Sequence, residues 1–186
     1  MTDRAYENIN FREKPLASGE YENCDFINCD LADADLSGFI FIECRFSKSN
    51  LTNAKLSQTS FREVKFQDCK MVGLRFEECL PFLVPPEFDS CILHLSSFIE
   101  MKLQKIRFVA CDLQEVDFSC ADLTGAEFIR SDLNGAVFDN TNLEKSDLSS
   151  AYHYSIDPDK NRIRKAVFSV DGLPGLVAKY GIMIKM

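Results

Sequence analysis

The chain has 186 residues, 29 acidic against 21 basic, for a formal net charge of −8, with 46% apolar residues and 11% aromatics. This supports one domain with a real core and excludes wholesale disorder. The acidic balance argues against direct nucleic-acid binding, which needs a basic footprint, but not against competition with nucleic acid for another protein's basic groove.

Met1 to Glu22 is polar and lacks the apolar segment of a signal peptide. No apolar run approaches the ~18 residues of a membrane span. A soluble cytoplasmic protein with reduced thiols and no membrane contact is expected.

From Phe11 an apolar residue recurs every five positions: Phe11, Leu16, Tyr21, Phe26, Leu31, Leu36, Phe41, Phe46, Leu51, Leu56, Phe61, Phe66, Met71 and Phe76. After a slip the run resumes at Leu83 and continues through Phe88, Leu93, Phe98 and onward to Leu148. Thirteen of the 16 Phe hold these centre positions. Two residues before a centre sits a small side chain, as at Cys24, Ala34, Cys44, Ala54, Cys69, Cys111 and Ala121. The other three positions are mostly polar. A period of five matches neither a helix nor a half-buried strand. It fits a solenoid in which each pentad turns a corner, four pentads close a square coil, and stacked coils pair as parallel strands. Phe26, Phe46 and Phe66 should then share one face, as should Phe98, Phe118 and Phe138.

From Phe76 to Leu83 is seven residues, and the stretch 80–86 holds three of the six Pro. Pro cannot donate to a strand ladder. A bulge or short loop is expected near 80–87, pushing Phe82 or Val84 outward, either as a partner contact or as a kinked corner. After Leu148 the phase decays, but Ile163, Phe168 and Leu173 keep it. One irregular last coil is expected over 152–172, closing a solenoid of residues 1–172. Residues 173–186 are expected to cap the open end, which otherwise exposes unpaired strand edges. The cap reads as a short helix with Leu173, Leu176, Val177 and Tyr180 on one side, ended by Gly181, then a strand over Ile182–Lys185.

Seven of the eight Cys share the inward small-residue phase, and only Cys120 points outward. No close pair has zinc-ligand spacing, so core packing is their role. His94 falls outward and His153 falls at a centre position, neither with a local partner for a triad or a metal. A convex solenoid offers no cleft to desolvate an acid or base. No catalytic, metal or cofactor residue is assigned, and no enzyme is expected.

The charge is uneven. Residues 17–44 carry −7 without a Lys or Arg, and residues 108–148 carry nine acids against Arg130 and Lys145, again −7. The middle and the tail are each +3. The second acidic zone supplies the candidate partner residues Asp112, Asp117, Asp122, Glu127, Asp132 and Asp147. About eight coils at ~4.8 Å make a rod roughly 40 Å long. An acidic rod of that size suits a basic, DNA-binding saddle. The competing reading is that the acids keep the rod soluble.

Units such as Ala34-Asp35-Leu36-Ser37-Gly38 and Ala121-Asp122-Leu123-Thr124-Gly125 resemble the A(D/N)LXX repeat of pentapeptide-repeat proteins, over residues 11–148. The resemblance implies an all-β solenoid, a right-handed quadrilateral parallel β-helix. The tail, with Asp157-Pro158, Asn161-Arg162-Ile163 and Gly181-Ile182, resembles that of McbG-type immunity proteins. This implies a homodimer through the C-terminus, with Leu173, Leu176, Tyr180, Ile182 and Ile184 at the interface. Pentapeptide-repeat proteins of the MfpA, Qnr and McbG kinds bind DNA gyrase or topoisomerase IV as mimics of duplex DNA and protect the enzyme from poisons. The resemblance thus implies a non-enzymatic, topoisomerase-binding resistance or self-immunity protein; the alternative is a scaffold for another protein partner. The slip adds only two residues where Qnr proteins carry long loops, which favours an MfpA- or McbG-like mode.

Overall fold

The computed structural model describes residues 1–183. Its strands in chain order are β1 (Ala5–Glu7), β2 (Glu20–Glu22), β3 (Asp25–Ile27), β4 (Ile40–Ile42), β5 (Arg45–Ser47), β6 (Ser60–Arg62), β7 (Lys65–Gln67), β8 (Glu87–Asp89), β9 (Arg107–Val109), β10 (Glu127–Ile129), β11 (Asp147–Leu148) and β12 (Val167–Phe168). The strands β2, β4 and β6 form a three-stranded sheet, and the other nine form a second. Isolated parallel bridges such as Asp112↔Asp132 and Asp117↔Val137 climb the remaining sides. The architecture is a right-handed quadrilateral β-helix of about eight turns with a short C-terminal helix, α1 (Pro174–Val177). We name its four faces by an inward residue: the Tyr21, Phe26, Leu31 and Leu36 faces, in the order the chain visits them.

Two local devices turn the corners. The residue two after a centre takes the left-handed conformation, as at Asn28, Asp33, Lys48, Lys105 and Glu115, with φ from 51° to 61°. Asn and Asp visit this region readily; for other side chains it costs roughly 1–2 kcal/mol, offset by the ladder bonds that the turn permits. The Asp before a centre then accepts a bond from the N–H two residues on, at 2.8–3.1 Å for Asp35, Asp112, Asp117, Asp122 and Asp132. This Asx turn is the physical reason for Asp in the repeat.

The interior is two aromatic stacks and two aliphatic columns. Tyr6, Phe26, Phe46, Phe66, Phe88, Phe108 and Phe128 stack with ring centroids 4.5–5.5 Å apart. The coil therefore starts before Phe11, since β1 pairs with β3. The second stack runs through Tyr21, Phe41 and Phe61 on the Tyr21 face, then through Phe76, Phe98, Phe118 and Phe138 on the Leu36 face. It changes sides at the slip. At the corner between the Phe26 and Leu31 faces runs a column of small donors. Cys29, Ser49, Cys69, Cys91, Cys111 and Ser131 donate to the carbonyls of Tyr6, Phe26, Phe46, Phe66, Phe88 and Phe108 at 3.1–3.6 Å.

The slip departs from expectation in one respect. Leu83, expected at a centre, is 87% exposed; of the two residues of which one is expected outward, Val84 is exposed and Phe82 is half-buried against the core. The coil of residues 61–80 carries three Phe at centres, Phe61, Phe66 and Phe76, because the second stack is changing sides. Phe82 packs against the edge of the core near Cys79 and Met101, and Leu83 is left outside. Pro86 is buried in the small-residue slot before Phe88. Among the described residues, 81–84 make no backbone–backbone hydrogen bond.

A second departure is His153. Its φ of 61° turns the side chain outward, and Tyr154 fills the interior instead. The last coil is held by the bridge Asn142↔Arg162 and by β11 pairing with β12. Gly175 seats α1 on it: Ile156 N–H donates to the Gly175 carbonyl at 3.0 Å, and a Cβ at Gly175 would lie 2.2 Å from the Tyr154 carbonyl oxygen. Gly181 ends the following turn with a φ of 60°. The expected terminal strand does not include Ile182 or Met183, and Ile184 and Lys185 lie outside the described residues.

Candidate partner-binding surface

The stacked register spreads the six acidic candidates round the rod. Asp112 and Asp132 stand on the Leu31 face, Asp117 on the Leu36 face, Asp122 on the Tyr21 face, and Glu127 and Asp147 on the Phe26 face. They form a band and not a single face. Five of the six are half-buried, and most serve their own corners. Burial opposes ionisation of Asp122, but bonds from Thr124 and Gln104 outweigh it and hold its carboxyl below the ordinary range.

Neighbouring coils neutralise part of this band. Glu127, Asp139 and Glu144 pair with Arg107, Lys160 and Arg162 at 2.9, 3.7 and 2.9 Å. Glu115 and Asp132 face His94 and His153. In the N-terminal zone, 17–44, only Asp33 has such a partner among the described residues, Arg12 at 3.6 Å. Glu20, Glu22, Asp35 and Glu43 are exposed. The freer negative charge is therefore at the N-terminal end. The neutralising partners lie about one coil away in sequence, so only the register reveals them.

Cavities of about 610 and 580 Å³ flank the slip. The larger is lined by Arg75, Glu77, Cys79, Phe82, Met101 and Lys102. Val84 lines the smaller cavity, and Leu83 beside it is exposed. At the far end, Leu173, Tyr180 and Ile182 are exposed and Leu176 packs partly on the core. Among the described residues no cluster of His, Cys, Asp and Glu is arranged to hold a metal ion, and no helix is long and apolar enough to cross a membrane.

The molecule is thus a β-solenoid whose corners and rungs follow from one five-residue unit. That unit places it: the family model described as "Pentapeptide repeat region" matches residues 20–81 and 75–148, and the chain belongs to the pentapeptide-repeat family. The fold is similar to full-length QnrB1, a plasmid-mediated fluoroquinolone resistance protein, at 18% identity and a TM-score of 0.50, covering 98% of this chain and 99% of that one. A further similar structure is HetL, a pentapeptide-repeat protein involved in heterocyst differentiation regulation from the cyanobacterium Nostoc sp. strain PCC 7120, at 17% identity, a TM-score of 0.42, and coverage of 91% and 85%. No curated protein matches the sequence.

Proposed function

We propose that this protein is a non-enzymatic stand-in for duplex DNA that binds a type II topoisomerase, gyrase or topoisomerase IV, and protects it from a poison. The observation that carries the reading is an acidic surface wrapped round a stiff rod of duplex-like size, freest at the N-terminal end. Such a surface attracts a basic saddle over a Debye length of about 8–10 Å. The likeness in fold to a fluoroquinolone resistance protein is consistent with it. The C-terminal residues Leu173, Leu176, Tyr180, Ile182 and Ile184 are proposed to join two copies end to end, doubling the rod. Val84 and the half-buried Phe82 are proposed as contacts at the slip.

A second reading, a scaffold for a different protein partner, is favoured by the acids that already serve corners and ion pairs. A gyrase supercoiling assay with and without a quinolone separates the two. Inhibition or protection at micromolar protein is expected; neither effect leaves the scaffold reading.

A further inference from the structure

One side of this acidic protein is not acidic throughout. On the Tyr21 face, below the slip, stand the exposed Glu20, Glu22, Glu43 and Glu63; among the described residues its cations are Arg62 and, on the first coil, the Met1 ammonium, which donates to the Glu20 carbonyl. Above the slip the same face carries the exposed Lys102, Lys105, Lys145, Arg164 and Lys165. None of these five forms a salt bridge among the described residues; the sixth cation, Arg162, pairs with Glu144. The two acids of this half, Asp122 and Glu144, are half-buried and bonded locally. The face is a charge dipole along the rod, and its centre is the slip, where Leu83 projects at 87% exposure beside Val84.

We propose that this face docks a second copy of the chain, antiparallel, with the acidic half of each copy on the basic half of the other and the two Leu83–Val84 knobs at the two-fold axis. The register supports it. Counted in coils from the slip, Glu63 and Lys105 are equidistant, as are the Glu22 coil and the Lys145 coil. Glu43 meets the coil of Gly125, whose one acid on this face, Asp122, is half-buried and bonded to Thr124 and Gln104, and Lys105 reaches toward that coil: its Cγ lies 3.7 Å from where a Gly125 Cβ would stand. A parallel arrangement would set like charge on like. An isologous contact needs such a self-complementary patch. A flat side roughly 10 by 40 Å is smaller than the ~800 Å² per partner of a standard interface, so the association is weak and salt-controlled. It is separate from the end-to-end contact and independent of any topoisomerase.

The test uses the full chain carrying Tyr180→Asp, which removes the end contact. Light scattering should show dimer at about 0.01 M salt and monomer near 1 M. Adding Lys105→Glu, Lys145→Glu and Lys165→Glu should give a monomer at low salt, and so should adding Glu22→Lys, Glu43→Lys and Glu63→Lys. An equimolar mixture of the two variants should regain the dimer, which misfolded proteins would not do. In a Cys120→Ser background, Leu83→Cys should form a disulfide-linked dimer on oxidation. A Tyr180→Asp protein that is monomeric at every salt, charge variants that stay dimeric, a mixture that stays monomeric, or no cross-link at position 83 would each overturn the proposal.

Discussion

At the scale of single residues, the small inward positions have a chemical job. Each thiol or hydroxyl of the Cys29–Ser131 column donates to a carbonyl of the coil below, so Ser and Cys interchange along it. Cys111→Ser should leave stability nearly unchanged, while Cys111→Val, which cannot donate, should cost about 1 kcal/mol; denaturant melts of the two variants test this. Burial pushes the thiols of Cys44 and Cys111 from 9.0 up to about 11 and 12. A raised folded-state pKa means full stability below the unfolded value, lost as pH rises. The melting temperature should be flat in pH up to about 9 and should then fall toward 11; a rise above pH 9 would contradict the inward thiols. The inward phase of the Cys was legible from spacing alone. Their acceptors were not, because those lie on the coil below, 23 or 25 residues away.

At the scale of elements, the three-residue strands are too short to persist alone, and the stacked rings hold them. Removing Phe108, a fully buried mid-stack ring, should cost about 3–5 kcal/mol on Phe108→Ala. Phe108→Leu should cost far less, since Leu148 continues the same column; thermal melts distinguish them. Leu83→Glu should change stability by less than about 0.5 kcal/mol, as exposed sites do. The columns followed directly from the five-residue phase. The slip did not, because counting could place Leu83 in phase but could not show that the second stack changes faces there. At His153 the phase was right and the conformation wrong, a left-handed residue whose side chain leaves the core.

At the scale of the molecule, each coil touches only its neighbours, so stability is a sum over coils and interfaces. Charge summed along the chain misses the pairing between coils. The two −7 zones looked equivalent by count, yet Arg107, Lys160 and Arg162 neutralise one of them. Asp112→Asn, Asp122→Asn and Asp132→Asn together should weaken topoisomerase binding about tenfold and flatten its salt dependence. Asn keeps the corner bonds but not those Asp122 and Asp132 accept from Gln104 and Gln114, so the melting temperature should fall only slightly; unchanged affinity in a binding titration would count against DNA mimicry. The coil geometry also makes the rod a spool. Pulled by its ends, it should pay out one turn at a time, each lengthening the chain by roughly 65 Å of extended backbone. The turn joining Phe66 to Phe88, 22 residues long where the others have 20, should give the one longer step.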